Sequence, residues 1–93
     1  MSAEDAFEAA NAAFAAGDAA AAAAGYRAFL ARDPASSRAW QNLGVALSSL
    51  GEPVASGRCI TRALRIDPHY EIALRNLVEA HRRAGDLAAT TAA

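Results

Sequence analysis

The 93-residue sequence has a single cysteine, no lysine and almost no excess of charge of either sign. One cysteine, Cys59, leaves no partner for an intramolecular disulfide, which is typical of proteins from a reducing compartment. Nine arginines stand against ten acidic residues, so the chain lacks the strongly basic balance of proteins that bind nucleic acid or acidic membranes. We therefore expect a cytoplasmic protein that binds neither nucleic acid nor a membrane.

Long apolar runs and a basic leader are also missing. The longest uninterrupted apolar run, Ala19 to Ala24, falls far short of the roughly 20 residues that span a bilayer. The N-terminus opens with Glu4, Asp5 and Glu8 in place of the basic residues of a secretory signal. The sequence thus predicts neither a transmembrane segment nor an export signal.

Residues that carry catalysis or hold metals are equally scarce. The chain has two histidines and one cysteine, and no carboxylates cluster at metal-ligand spacing. Neither Ser56 nor Cys59 has a histidine and an acid in a pattern that would activate a nucleophile. We expect His69 in solvent and Cys59 as a small packing residue. The prediction is a protein that is not an enzyme and needs no metal or other cofactor.

A period of 34 residues organises the chain. Glycine followed by an acidic residue recurs at this period, and so does the dipeptide Asp-Pro. Other positions keep the same register, for example Leu43 with Leu77 and Asn42 with Asn76. The recurring pairs are Gly17-Asp18, Gly51-Glu52 and Gly85-Asp86, and Asp33-Pro34 and Asp67-Pro68.

Each repeat is predicted to form two helices. Apolar and small residues spaced three and four apart from Trp40 to Leu50 define one helical face, and Gly51 supplies a left-handed residue to end that helix. Pro53 suits the first position of the next helix, and the Asp-Pro pair ends it. The predicted helices span about 3–16, 19–32, 36–50, 53–66 and 70–84, with a short sixth helix after Leu87.

These features resemble the tetratricopeptide repeat, a 34-residue helix-turn-helix unit. The resemblance covers nearly the whole chain and implies an all-α fold: an α-solenoid of antiparallel helix pairs in a single domain, residues 1–93. It implies two full units, at about 1–34 and 35–68, and a partial third unit at 69–93. In the middle unit the matching residues are Trp40, Leu43, Gly44, Leu47, Ser56, Ile60, Ala63 and Pro68.

In this family the first helices of the units line a concave groove. The residue before the Leu-Gly pair points into the groove, and here it is Asn42, followed one repeat later by Asn76. Asparagine both donates and accepts hydrogen bonds, as a peptide backbone does. The resemblance thus implies a module that binds a peptide segment or a partner protein, in a groove acidic at one end and basic at the other. The expected peptide-binding residues are Asn11, Arg38, Gln41, Asn42, Val45, Arg75, Asn76 and Glu79.

Two alternatives stay open for the groove. One is that the asparagines only help the first helices to pack. The other is a clamp for the acidic C-terminal tails of heat-shock chaperones, which some family members form. Asn11 and Asn42 stand at the asparagine positions of that clamp, but Phe7, Ile72 and Asn76 replace its basic residues, which argues against this ligand.

An alternative function is a self-associating structural module, or the N-terminal part of a larger protein. Bacterial members of the family often carry such repeats ahead of a transferase domain. The third repeat has little sequence left to cover its apolar residues, so we expect a homodimer through the C-terminal repeat or a following segment that caps it. Trp40 is expected to be largely buried. The resemblance also implies that His81, at a position where the family has an aromatic residue packed between helices, lies in the core or at its boundary. The uncapped residues would be Leu74, Leu77, Ala80, Ala84 and Leu87.

Overall fold

The computed structural model describes residues 2–92, and their side chains over residues 2–86. Over these residues the chain is all-α, as predicted, and contains no strand. Its helices are α1 (Ala3–Ala15), α2 (Ala19–Arg32), α3 (Ser37–Ser49), α4 (Pro53–Ile66) and α5 (Glu71–Ala92). Within the part of the chain that is described, none of these helices is both long and apolar enough to cross a bilayer.

Two glycines end α1 and α3 in the same way. Gly17 and Gly51 have φ angles of 81° and 79°, the left-handed conformation that glycine adopts without steric cost. The amides of Gly51 and Glu52 donate back to carbonyls in the last turn of α3, and equivalent bonds close α1 behind Gly17. Because the two ends match, α2 and α4 leave their turns in equivalent ways.

The third glycine does not end a helix. The predicted break at Gly85 and the short sixth helix after Leu87 are wrong, because α5 is continuous through both positions. Gly85 does not have a positive φ, and no neighbouring atom lies within 4 Å of the place where its Cβ would be. Arg82 reaches across it to Asp86, with 2.9 Å between Nη1 and Oδ2. This ion pair across one helical turn favours continuation of α5. Within residues 2–92, no further helix follows α5 to complete a third helix pair.

The Asp-Pro turns after α2 and α4 also repeat. The Oδ1 atom of Asp33 accepts a hydrogen bond from the amide of Ala35 at 3.3 Å. Asp67 accepts the equivalent bond from the amide of His69, also at 3.3 Å. Proline keeps the preceding residue out of the helical conformation, and the carboxylate fixes the turn by bonding two residues further on. The connection from α2 to α3 and the connection from α4 to α5 are therefore similar turns.

Each helix packs against the helices before and after it in the chain, and α3 also contacts α5. One core cluster joins α1, α2 and α3, and a smaller one joins α4 and α5. Small residues allow close helix crossings within each pair. A Cβ on Gly44 would lie 2.6 Å from Cγ1 of Ile60, and a Cβ on Gly25 would lie 2.7 Å from Cβ of Ala10. Both crossings therefore depend on the missing side chain.

The side chain of Trp40 is partly buried against the larger core cluster and is not fully enclosed. The indole lies at the edge of the larger cluster, where Nε1 donates to the carbonyl of Pro34 at 2.8 Å. The guanidinium of Arg62 lies 4.9 Å from the centroid of the indole ring. Trp40 therefore contributes a hydrogen bond and a cation–π contact in addition to apolar packing.

The expected apolar patch of the C-terminal repeat is also different in the structure. Leu77 and Ala80 pack in the smaller core cluster with Ile60 of α4, so they are not available for self-association. Leu74 is exposed as predicted, and the adjacent exposed residue is Val78. Leu87 lies outside the residues whose side chains are described. The exposed stripe on α5 is thus displaced from the one that the repeat pattern predicts.

Cys59 is the small packing residue that the sequence predicts, because it is partly buried against the larger core cluster. Burial raises the pKa of its thiol, and the nearby charges of Arg27 and Arg62 oppose this effect only in part. A thiol with a raised pKa is protonated near neutral pH and therefore a poor nucleophile.

Candidate functional site

The odd-numbered helices share one surface, which we call the α1–α3–α5 face. Asn11 on α1 and Asn42 on α3 both hydrogen bond to the hydroxyl of Tyr26, which comes from α2 below them. Val45 on α3 and Asn76 on α5 line one cavity on this surface. The polar side chains of the three helices therefore form one continuous face.

The Tyr26 side chain holds the two asparagines in place. None of its surface is exposed, and its ring packs edge-on against the rings of Phe7 and Phe14. The hydroxyl donates to Oδ1 of Asn11 at 2.5 Å. The hydrogen bond with Asn42 lowers the pKa of Tyr26, which is the effect of an amide N–H that donates to the phenol oxygen.

Burial keeps the Tyr26 hydroxyl protonated. Desolvation raises the pKa of Tyr26 above its ordinary value of 10.0, and this effect exceeds the opposing effects of the Asn42 bond and the charge of Arg38. The phenol is thus neutral over the physiological range and keeps the proton that it donates to Asn11.

The two asparagines are left with complementary groups for a ligand. Asn11 uses its carbonyl oxygen for Tyr26 and keeps its NH₂ donors, whereas Asn42 uses a donor and keeps its carbonyl oxygen. Both side chains are partly exposed. A donor and an acceptor on adjacent helices match the C=O and N–H groups of an extended peptide.

A small polar cavity of about 180 Å³ lies between α3 and α5 on the same face. Arg83 reaches from α5 to α3, where its Nη1 donates to Oγ of Ser48 at 2.8 Å. The hydroxyl of Ser56, at 0% exposure, has no hydrogen-bond partner among the residues described. The cavity is lined by Val45, Ser48, Ser49, Ser56, Ile60, Asn76, Glu79 and Arg83.

The α1 end of the face carries two carboxylates. Glu4 and Glu8 line a shallow depression together with the ring of Phe7. The guanidinium of Arg38, from α3, lies 5.6 Å from the centroid of the same ring. An aromatic ring between carboxylates favours a basic or aromatic ligand side chain at this end.

The α5 end is not the basic end that the sequence predicts. Glu79 pairs with Arg82 at 2.6 Å and with Arg83 at 3.0 Å, and Arg82 also binds Asp86. The hydrogen bond from Arg82 lowers the pKa of Glu79. Desolvation opposes this effect in part, and a hydrogen bond from Arg83 adds to it. Two arginines and two carboxylates therefore neutralise one another on this part of α5, and Arg75 is exposed on the same helix.

Gln41 is buried, contrary to the prediction that it lies on the groove surface. It is 3% exposed, and its Oε1 has no hydrogen-bond partner among the residues described. Gln41 lies seven residues before Ser48 and thus on the same side of α3, which meets α5 through the bond to Arg83. The prediction failed because helical spacing alone does not show how closely the next helix approaches.

The other predicted site residues form two groups on the face. Tyr26, which orders the first group, is a residue that sequence reasoning missed. Its alignment with Ile60 in the repeat indicates an ordinary core position. The signal that could have identified Tyr26 is its hydroxyl, a polar group at a position where the next repeat has an apolar side chain. Asn11 and Asn42 form the first group, and Val45, Asn76 and Glu79 form the second group. Arg38 and Arg75 belong to neither group and are exposed.

Among the described residues, no three or more histidine, cysteine, aspartate or glutamate side chains come together in a way that could hold a metal ion. A scan against protein-family models finds no match for the chain, and a search of curated proteins finds none either. The geometry of the α1–α3–α5 face is therefore the basis for a functional proposal.

Proposed function

We propose that this chain is a protein–protein interaction module of the tetratricopeptide-repeat type, which binds an extended peptide segment of a partner along the α1–α3–α5 face. The observation that carries the proposal is the hydrogen-bonded group of Asn11, Tyr26 and Asn42. The matching glycine helix ends and Asp-Pro turns, one repeat apart, support the assignment to this type of repeat.

In this proposal the asparagines bind the peptide backbone. The NH₂ group of Asn11 donates to a backbone carbonyl, and the carbonyl oxygen of Asn42 accepts from a backbone N–H. Because the buried Tyr26 already orients both side chains, less side-chain freedom is lost on binding. Backbone recognition makes the site tolerant of sequence, so side-chain preference comes from the two ends of the face.

The ends of the face favour different ligand side chains. The acidic α1 end, with Glu4 and Glu8 beside Phe7, suits a basic residue of the peptide. The cavity between α3 and α5 is small and lined by three serines, so it suits a short side chain that can form a hydrogen bond. We therefore propose a ligand with a basic residue toward α1 and a small polar residue toward α5.

The test begins with selection of binders from a library of random linear peptides, whose affinities are then measured by fluorescence anisotropy. Asn42→Ala should weaken the selected peptides by about 1 to 3 kcal/mol, because a peptide N–H loses its acceptor on binding. Tyr26→Phe keeps the ring in the core and removes only the hydroxyl, so it should also weaken binding while the helical circular dichroism is retained.

Arg27→Ala is the matched control, since Arg27 is exposed on α2, away from the α1–α3–α5 face. Its affinity should equal that of the unmodified chain. If no selected peptide lost affinity after either Asn42→Ala or Tyr26→Phe, the proposed face would be the wrong one.

A further inference from the structure

A second surface lies on the other side of α5. A trough of about 470 Å³ separates α4 from the C-terminal half of α5. Its α5 side includes His81, which is two residues from Glu79 and therefore about 200° around the helix from it. His81 is exposed, so the expectation that it lies in the core or at its boundary is corrected. The trough is lined by Pro53, Val54, Gly57, Arg58, Thr61, Arg62, Arg65, His81 and Ala84.

One exposed apolar side chain lines the trough, and two more lie on the side of α5 that carries His81. Val54 on α4 is 54% exposed, and Leu74 and Val78 on α5 are 46% and 71% exposed. Leu74, Val78 and His81 follow one another at spacings of four and three, so they form a stripe along one side of α5. An apolar stripe next to an open trough is the geometry that accepts another helix.

The internal repeat shows what kind of helix this stripe can accept. One repeat earlier, the position of Val78 is Gly44, where α4 crosses so closely that a Cβ would lie 2.6 Å from Cγ1 of Ile60. A valine at this position excludes an equally close crossing. A helix that lies over the stripe must therefore sit further out and fill the remaining space with large apolar side chains.

The charge of the trough is entirely positive. Arg58, Arg62 and Arg65 border it on α4, and no carboxylate is among its lining residues. Within the described part of the chain, neither Arg58 nor Arg65 has a carboxylate within 4 Å, and Arg62 lies over the ring of Trp40. An anionic ligand would thus meet arginines that are not already neutralised.

A second copy of this chain is a poor occupant. If two chains paired through the same face, the arginines of one trough would approach those of the other, and like charges oppose such pairing. The acidic helix α1 has the complementary charge, but its exposed apolar residues are alanines apart from Phe14, whose ring packs against Tyr26. Alanine side chains are too small to fill the space between α5 and a helix that Val78 holds at a distance.

We propose that the trough between α4 and α5 docks an acidic amphipathic helix of a partner protein. Large apolar side chains of that helix cover Val54, Leu74 and Val78, and glutamates or aspartates along its flank pair with the arginines of α4. The site is separate from the α1–α3–α5 face, so the chain can join two partners, one bound as an extended peptide and one as a helix.

A pair of synthetic helical peptides tests this proposal. Both carry leucines at every third and fourth position, and the flanking positions are glutamate in one peptide and lysine in the other. Fluorescence anisotropy with the intact chain should show binding of the glutamate peptide and little binding of the lysine peptide. Val78→Glu and Arg58→Glu should each weaken the glutamate peptide by about tenfold or more.

Val78 and Arg58 are exposed, so these variants should keep the circular dichroism spectrum of the unmodified chain. Asn42→Ala is the control and should leave the affinity for the glutamate peptide unchanged, whatever its effect on peptides bound to the other face. Equal binding of both peptides, or binding that Val78→Glu does not alter, would overturn the proposal. If the chain sedimented with anionic vesicles and did not bind the glutamate peptide, the ligand of the trough would be a membrane. If the chain self-associated and Val78→Glu abolished this self-association, the ligand would be a second copy of the chain.

Discussion

At the scale of single residues, Tyr26 links the core to the surface. Its ring fills the space between α1 and α2, while its hydroxyl orients one asparagine on each of two neighbouring helices. Phenylalanine would fill the same core volume but leave both asparagines free to rotate. Position in the repeat could predict Asn11 and Asn42 as surface residues. It could not predict their orientation, because this depends on a contact between residues far apart in the chain.

The raised pKa of Tyr26 predicts how stability depends on pH. The folded state favours the neutral phenol, so its pKa lies above the ordinary value of 10.0 expected in the unfolded chain. The resulting stabilisation is fully present below pH 10 and is lost as the pH rises through the folded pKa. Urea unfolding should therefore show a free energy of unfolding that falls across this alkaline range.

Tyr26→Phe provides the control for this prediction, because the substitution removes the titrating group and keeps the ring. The variant should lose the alkaline fall that Tyr26 causes. If the unmodified chain and the variant lost stability in parallel above pH 10, the buried hydroxyl would not be the group responsible.

At the scale of helices, equal local sequence signals lead to different structures. Gly51 followed by Glu52 ends α3, whereas Gly85 followed by Asp86 continues α5. The first four helices could be predicted closely, because their ends depend on glycine, proline and capping residues within one turn. The course of α5 could not, because the acidic residue after its glycine pairs back with Arg82 instead of starting a new helix.

Substitution of two glycines by alanine separates these two backbone states. Gly51→Ala should destabilise the chain by about 1 to 2 kcal/mol, because alanine is strained at positive φ. Gly85→Ala should stabilise it by about 0.5 to 1 kcal/mol, because alanine favours a helix interior. Neither new Cβ has an atom within 4 Å, so steric clashes do not complicate the comparison.

Thermal or urea unfolding of the two variants, monitored by circular dichroism, measures the difference. Loss of stability in both variants would mean that Gly85 ends a helix, as the repeat pattern predicts, and that α5 is shorter than described. The comparison thus tests the feature in which the structure departs most from the repeat.

At the scale of the whole molecule, the chain is an elongated stack of 47 × 27 × 19 Å with separated charges. Helix α1 carries Glu4, Asp5 and Glu8 and no basic residue, whereas α4 carries three arginines and no acidic residue. The net charge of −1 in the sequence conceals this separation. The overall charge balance of the sequence could exclude a strongly basic protein, but only the fold shows that the arginines of α4 line a trough next to exposed apolar side chains.

The stack also predicts that stability varies along the molecule. Helices α2 and α3 belong to the larger core cluster, and each packs against a helix on either side. Helix α5 is held by the smaller cluster with α4 and by a minor contact with α3. When each element depends on its neighbours, the terminal element opens at the lowest free energy. Amide hydrogen exchange should therefore be slowest in α2 and α3 and markedly faster in α5.

Leu77→Ala sharpens this prediction, because Leu77 packs in the smaller cluster and has no place in the larger one. The substitution removes apolar contacts between α4 and α5, so exchange in α5 should accelerate while exchange in α2 stays close to that of the unmodified chain. Val78→Ala is the matched control, since the neighbouring Val78 is 71% exposed and should change neither rate appreciably. If Leu77→Ala accelerated exchange in α2 as much as in α5, the chain would open as a single cooperative unit, and stability would not be graded along the stack.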